Sequence, residues 1–154
     1  MEPHWLFFLA TISLGVAVIC SLIILIDILV GHRQAMWIMN VVWPITALWS
    51  GPFGLYGYYT LGRLSTQQNV RQAKTKDETP PNKQKPFWQS VAVGVTHCGS
   101  GCTLGDIIAE WSVFFVPFTL FGRQIFGTWV LDFIVAFLLG IAFQYFTLKP
   151  IRSR

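Results

Sequence analysis

Charged side chains are scarce in this sequence of 154 residues. Lysine and arginine number 11, aspartate and glutamate number 7, and the four types make up 12% of the chain, whereas 53% of the residues are hydrophobic. Thirteen phenylalanines and seven tryptophans add to this apolar bias. In a soluble globular domain about 25% of the residues are charged. The composition therefore excludes an ordinary soluble domain and indicates an integral membrane protein.

Cysteine is also rare, with Cys20, Cys98 and Cys102 as the three thiols of the chain. This number excludes a disulfide framework. Cys20 lies alone in an apolar run, where we expect a small packing residue. The sequence has no nucleotide-binding glycine pattern, no internal repeat and no serine with the surroundings of a hydrolase nucleophile. Cys98 and Cys102 therefore form the pair of thiols that indicates a binding or redox role.

Four apolar segments are long enough to cross a hydrocarbon core of about 30 Å as helices. They cover residues 5–30, 36–59, 87–121 and 128–148. Because the runs are apolar on all sides, without the alternation of barrel strands, helices are expected. The first run is longer than a signal-peptide core and should be retained. The sequence predicts an all-α membrane bundle with four transmembrane helices, in a single domain over residues 1–154.

The basic residues are distributed unevenly between the connections. The polar cytoplasmic linker predicted at residues 64–86, Arg63 before it and the carboxyl-terminal tail carry nine basic residues, against two on the opposite side. The nine are Arg63, Arg71, Lys74, Lys76, Lys83, Lys85, Lys149, Arg152 and Arg154, and the two are Arg33 and Arg123. This bias predicts cytoplasmic termini. Orientation and contact with anionic lipid explain the basic linker without a nucleic-acid partner.

Four carboxylates lie inside the apolar segments, namely Asp27, Asp106, Glu110 and Asp132. Each charge deep in a bilayer costs at least about 2.5 to 3.5 kcal/mol. All the basic residues lie in loops or tails, so we expect no lysine or arginine to face these acids. A proton, polar neighbours or a bound cation must then stabilise them. Asp27 and Asp132 are predicted near the outer surface, as part of a cation path or as ordinary interfacial residues.

The third segment contains a dense polar motif, Thr96 to Trp111. A continuous helix would place the cysteines and acids on a stripe that rotates by about 40° at each four-residue step, whereas the histidine would point about 100° away. The histidine would join the thiols only if the helix breaks at Gly99-Ser100-Gly101. Thiolates and imidazole suit copper(I) or zinc, and carboxylates extend the choice towards iron. The predicted metal ligands are His97, Cys98, Cys102, Asp106 and Glu110.

Three functions remain open at this point. The first is binding of a cation, a soft transition metal such as copper, for transport or delivery, without catalysis. The second is a structural or accessory subunit of a membrane complex, because Gly101 and Gly105 form a Gly-x-x-x-Gly packing motif. The third is a membrane thiol oxidoreductase, although Cys-x-x-Cys is the more usual spacing. Expected partners are the lipid bilayer and either further copies of the chain or a partner subunit.

Prolines interrupt the second predicted span. Pro44 follows Trp43, and Pro52 follows Gly51 within the same apolar run. A proline inside a helix removes one backbone donor and clashes with the preceding turn. We therefore expect bends at both positions, with backbone carbonyls released from the helical hydrogen-bond ladder.

Three stretches of the sequence together resemble a known family. They are Val41 to Leu48 followed by Gly51-Pro52, then Thr96 to Trp111, then Asp132-Phe133 with Gly140 to Phe146. They resemble the bacterial membrane family catalogued as domain of unknown function 4396, or DUF4396, over the chain from about Met39 onward. The resemblance implies an α-helical inner-membrane protein and adds little about chemistry, because the activity of the family is not established. Members of the family often continue past the equivalent of Pro150-Ile151-Arg152 into further hydrophobic helices, so the resemblance leads us to expect a short variant, a split protein or one subunit of an assembly.

Overall fold

The structure is a computed structural model that describes residues 4–117 and 119–152, except for the side chains of residues 82 and 147–152. All of its regular elements within these residues are helical, which confirms the all-α prediction. The α-helices are α1 (His4–Val30), α2 (Met39–Ser50), α3 (Pro52–Gly57), α4 (Gln67–Thr75), α5 (Phe87–Phe115) and α6 (Gln124–Arg152). A π-helical turn (Tyr58–Gly62) and a 3-10 turn (Arg63–Ser65) follow α3, and a second 3-10 turn (Pro81–Lys83) precedes α5.

Among the described residues, three helices, not four, are long and apolar enough to cross a membrane: α1, α5 and α6. The prediction of a single span over residues 36–59 is wrong. The chain turns at Gly51, which has a φ of 55° and ends α2, and Pro52 is the first residue of α3. A proline is well tolerated at that first position, where its missing N–H has no helical acceptor. Pro44, by contrast, lies inside α2 without ending it.

Residues 39–62 form a short helical hairpin that returns to the end of α1 from which it starts. At its base the Ala35 amide donates to the Ser65 carbonyl at 2.8 Å, and the Gln67 amide donates to the Arg33 carbonyl at 2.8 Å. The 12 residues of α2 extend over about 18 Å. This length is less than the hydrocarbon thickness of about 30 Å, so the short hairpin does not cross it.

The short hairpin packs against one face of α1. The buried residues of α1 are Ala17, Cys20, Ile24 and Ile28, which recur at helical spacing on that face. Cys20 is therefore the packing residue that its apolar surroundings predicted. On the hairpin, the rings of Trp43 and Tyr58 meet edge to face with their centroids 5.7 Å apart, and both are almost wholly buried.

The described chain divides into two compact units, Met1–Val93 and Gly94–Arg154. The helix α5 is continuous through Gly99-Ser100-Gly101, so the predicted break there is not formed. It ends at Phe115, before the predicted boundary at residue 121, because Pro117 follows and the residue before a proline disfavours helical backbone. The polar linker 64–86 contains α4 and the 3-10 turn Pro81–Lys83. Backbone pairing with the end of α1 supports this segment.

Candidate cation site on the α5–α6 hairpin

Within the unit Gly94–Arg154, α5 and α6 approach each other closely at small residues. A Cβ atom added to Gly101 would lie 3.1 Å from the Cα of Gly140, and one added to Gly105 would lie 2.5 Å from the Cα of Ala136. Four residues forward on α5 correspond to four residues back on α6, so the helices are antiparallel and in register. The Gly-x-x-x-Gly motif therefore serves the packing of α5 against α6 within the chain.

This register places Asp132 of α6 level with the turn of α5 that contains Asp106 and Glu110. Asp132 interacts electrostatically with both of these acids. One of its carboxylate oxygens, Oδ1, is buried and has no hydrogen-bond partner among the described residues. Asp106 and Glu110 are exposed. Asp106, Glu110 and Asp132 thus form an acidic cluster built from two helices, which sequence spacing on α5 alone did not reveal.

The thiols of Cys98 and Cys102 continue the same surface. Cys98 is exposed, Cys102 is partly buried, and the two thiols interact with each other one helical turn apart on α5. Cys102 also interacts electrostatically with Asp106. The two cysteines line a mainly apolar groove of about 590 Å³ whose opposite wall includes Phe137 and Gln144 of α6. The thiol pair and the acidic cluster therefore form one stripe along the hairpin, as a continuous α5 predicts.

His97 lies on another face of α5. It is 3% exposed, and it is not among the residues that line the groove beside the thiols. Because α5 is continuous through the glycines, the angle of about 100° between successive side chains keeps the imidazole away from Cys98. In the part of the chain that the structure describes, no three His, Cys, Asp or Glu side chains are grouped closely enough to hold one metal ion. The stripe offers neighbouring ligands in succession rather than a closed cage.

The helix length indicates the depth of each group. Gly101 is the central residue of α5, which has 29 residues. At 1.5 Å per residue, Cys102 lies about 2 Å from this centre along the axis, Cys98 about 5 Å on the other side and Glu110 about 14 Å towards the carboxyl end. When α5 crosses a bilayer symmetrically, the thiols are near the midplane.

Asp27, in the unit Met1–Val93, has its own counterion. Its carboxylate accepts hydrogen bonds from Nε of Arg63 at 3.3 Å, from Nη2 of Arg63 and from the hydroxyl of Tyr58 at 2.6 Å. Nδ1 of His32 lies 3.3 Å from Oδ1 of Asp27. The hydrogen bonds to Asp27 raise the pKa of Arg63. The expectation that no arginine faces the intramembrane acids is therefore wrong for Asp27, because the short hairpin brings Arg63 back to α1.

Residues 87–153 match the family model described as "Domain of unknown function (DUF4396)". This confirms the resemblance for the segment that contains the Thr96 to Trp111 motif and α6. The match does not include the stretch around Trp43-Pro44, for which the resemblance stays a prediction. No curated protein and no solved structure matches the chain. The chain is therefore similar to DUF4396 over residues 87–153, the part that contains α5 and α6.

Proposed function

We propose that this chain is a polytopic protein of the bacterial inner membrane that binds copper(I) or a similarly soft cation on the α5–α6 hairpin, for transport or delivery. The stripe formed by the thiol pair and the acidic cluster carries the proposal. Arg123 is the one lysine or arginine between residues 94 and 146, and it lies in the connection before α6. Uncompensated acids and thiols at membrane depth favour a bound cation.

The arrangement of ligands favours copper(I) over zinc. Thiolates are soft ligands that select copper(I). Structural zinc sites use four protein ligands, catalytic ones use three and a water, and the placement of His97 on another face removes the nitrogen ligand. Copper(I) accepts coordination by two sulfur atoms, which Cys98 and Cys102 supply. The acidic cluster would raise the local concentration of the cation. Asp106, which neighbours Cys102, would then pass the cation to the thiols.

The same proposal fixes an orientation. With the three crossings that we propose, the two termini lie on opposite sides, whereas the expectation of two cytoplasmic termini assumed four. Because the short hairpin returns to its starting side, Arg33 joins the nine basic residues of the linker and tail, and Arg123 alone remains opposite. We assign the linker and carboxyl terminus to the cytoplasm and the amino terminus to the outside. The acidic cluster then lies in the outer half of the membrane and the thiol pair lies deeper.

Metal analysis of purified protein tests the proposal. Copper(I) affinity is measured by chelator competition for the wild type, for Cys98→Ser/Cys102→Ser and for the matched control Cys20→Ala. We expect the double variant to lose at least about tenfold in affinity, or about 1.4 kcal/mol, and the control to keep it. Equal copper(I) binding by the double variant and the wild type would contradict the proposal. Thiol trapping of the same samples tests the oxidoreductase alternative, which alone requires a redox-dependent change in free thiol.

A second candidate is an accessory subunit, which the exposure of Asp106 and Glu110 favours. A partner helix that presents basic or polar side chains would cover these acids in place of a cation. This function predicts that Asp106→Asn/Glu110→Gln lowers the mass of the detergent-solubilised complex and leaves copper(I) binding unchanged. The leading proposal predicts the reverse pattern, with weaker copper(I) binding and an unchanged mass.

A further inference from the structure

A second cavity lies in the unit Met1–Val93, between α1 and the tip of the short hairpin. The hairpin tip consists of residues 48–53, where α2 ends and α3 begins. The cavity has a volume of about 620 Å³. One wall is the tip itself, and the other is the face of α1 that contains Ala10, Ser13 and Ala17. About half of the residues that line the cavity therefore belong to the break between α2 and α3.

The cavity lies far from the polar base of the short hairpin. Ser13 precedes Asp27 by 14 residues on α1, which corresponds to about 21 Å along the helix axis. Asp27 marks the base, since it binds Arg63 there. A point about 21 Å into a hydrocarbon core of about 30 Å is beyond the midplane and well away from the headgroups of the base side. The hairpin tip is therefore placed at membrane depth.

The tip carries backbone carbonyls that the helices do not use. A helix leaves its last four carbonyls without intrahelical donors. At the end of α2, the Gly51 amide donates to the Ala47 carbonyl at 2.8 Å, and Pro52 has no N–H to offer. Among the described residues, the carbonyls at positions 48–50 receive no backbone hydrogen bond from the turn. The Ser50 hydroxyl donates to the Thr46 carbonyl at 2.5 Å, so its own oxygen remains an acceptor.

Carbonyls of this kind are tolerated at membrane depth where they line a water-filled cavity or are buried in protein. The carboxyl end of α2 also carries the negative end of its helix dipole. No residue that lines the cavity is acidic or basic, so its oxygens are all neutral. Neutral carbonyl oxygens replace the hydration shell of monovalent cations in membrane proteins, whereas divalent ions usually require carboxylates.

We propose that this cavity is a water-accessible site for a small monovalent cation such as Na⁺ or K⁺. The carbonyl oxygens at the end of α2 and the hydroxyls of Ser13 and Ser50 are its ligands. The site uses neutral oxygen atoms, so it differs in chemistry from the thiol and carboxylate stripe of the α5–α6 hairpin. Loss of copper(I) binding would leave it untouched, and failure of this proposal would leave the copper(I) site untouched.

Cysteine accessibility tests the site in reconstituted full-length protein. Ser50→Cys and, on the opposite wall, Ser13→Cys are each placed in a background with Cys20→Ala, Cys98→Ser and Cys102→Ser. A matched control is Ile12→Cys, because Ile12 is 64% exposed and lies outside the cavity lining. The probe is a charged, membrane-impermeant thiosulfonate, which needs a hydrated thiolate to react. A cooperative thermal unfolding transition establishes that each variant is folded. If Ser50→Cys does not fold, the test is made with Ser13→Cys alone.

We expect the cavity cysteine to react at least about tenfold faster than the Ile12→Cys control, since its thiol is in water. At constant ionic strength, Na⁺ or K⁺ should slow its modification about fivefold relative to choline, because an occupied site excludes the reagent by mass action. A reaction as slow as that of the control would show that lipid fills the cavity. A fast reaction at the same rate in all three salts would show a hydrated cavity without a cation site. Either result would overturn the proposal.

Discussion

The guanidinium of Arg63 donates hydrogen bonds through both Nε and Nη2 to the carboxylate of Asp27, which lies 36 residues earlier in the chain. The Asp27 side chain is only 13% exposed, so its charge is largely removed from water. Charge-assisted, bidentate hydrogen bonds of this kind are stronger and more directional than neutral hydrogen bonds. The pair therefore connects the base of the short hairpin to the end of α1, and it explains how an aspartate is accommodated in that helix.

Replacing Arg63 by alanine should destabilise the unit that contains α1. The substitution leaves the Asp27 carboxylate without its counterion, and hydrogen bonds to charged groups contribute about 1.5 to 3 kcal/mol. Because the Arg63 side chain is 38% exposed, we expect a loss near the lower end, about 1.5 kcal/mol. The measurement is the free energy of unfolding in mixed detergent micelles. Arg33→Ala is the control, since Arg33 is exposed; equal effects of the two substitutions would contradict the role of the pair.

The short hairpin predicts that Arg33 and Gln68 lie on the same side of the membrane. Both are exposed and flank the base where the chain enters and leaves the hairpin. Arg33→Cys and Gln68→Cys, in a cysteine-free background, should both be protected from an impermeant reagent added outside right-side-out vesicles, because the proposed orientation places both in the interior. Both should be modified once the vesicles are opened. Labelling from opposite faces would restore a complete crossing over residues 36–59 and remove the hairpin.

Gly105→Ala should weaken the packing of α5 on α6. An added Cβ would lie 2.5 Å from the Cα of Ala136, a backbone atom that cannot move aside cheaply. Overpacking of this kind typically costs about 1 to 3 kcal/mol. Gly94→Ala is the matched control in the same helix, because an added Cβ there meets nothing within 4 Å. Relief of the low helix propensity of glycine should make the control neutral or stabilising by up to about 1 kcal/mol. The measurement is the thermal unfolding temperature of each variant in detergent. Equal shifts for Gly105→Ala and Gly94→Ala would contradict the close contact.

Lys85 should make the stability of the protein depend on alkaline pH. Its ammonium donates to the Leu61 carbonyl at 2.9 Å and to the Ser65 hydroxyl at 3.1 Å. Burial lowers the pKa of Lys85 from its ordinary value near 10.5. Between the lowered pKa and 10.5 the unfolded state binds more protons than the folded state, so the free energy of unfolding should rise with pH in that window.

The measurement is the difference in unfolding free energy between the wild type and Lys85→Met across that pH window. Subtraction removes the contribution of other titrating groups, and the rise should be absent from the variant. Lys83→Met serves as the control, because Lys83 is exposed. A wild-type slope equal to that of Lys85→Met would contradict the effect of burial on this lysine.

Part of the fold and of the site follows from local pattern. The apolar run of residues 5–30 is long enough to be one helix under any packing, and the structure has α1 at His4–Val30. The four-residue spacing of Cys98, Cys102, Asp106 and Glu110 defines one stripe on any continuous helix, and α5 is continuous. The Gly101 and Gly105 spacing likewise indicates close helix contact, which α6 provides. Each of these features depends on residues within a few turns of one another.

The short hairpin was not predicted, although its signal was present. Gly51-Pro52 stands in the middle of an apolar run, and hydropathy averaged over the run conceals whether the chain bends there or reverses. Reversal requires partners for the second half, and these are the α1 face around Ile24 and the carboxylate of Asp27. Both lie more than 20 residues before the second half of the hairpin in the sequence. Local helix propensity therefore does not indicate these contacts.

The amino-acid sequence alone determined that the protein is helical and rich in membrane-spanning segments, and that thiols and acids share one face of α5, because helix periodicity and apolar length are local properties. Only the tertiary structure decided that Arg63 neutralises Asp27, that Asp132 joins Asp106 and Glu110, and that His97 stays apart from the thiols. These relationships depend on which helices pack together and in which register. Register is set by close contacts such as that of Gly105 with Ala136, which form only when the chain is folded.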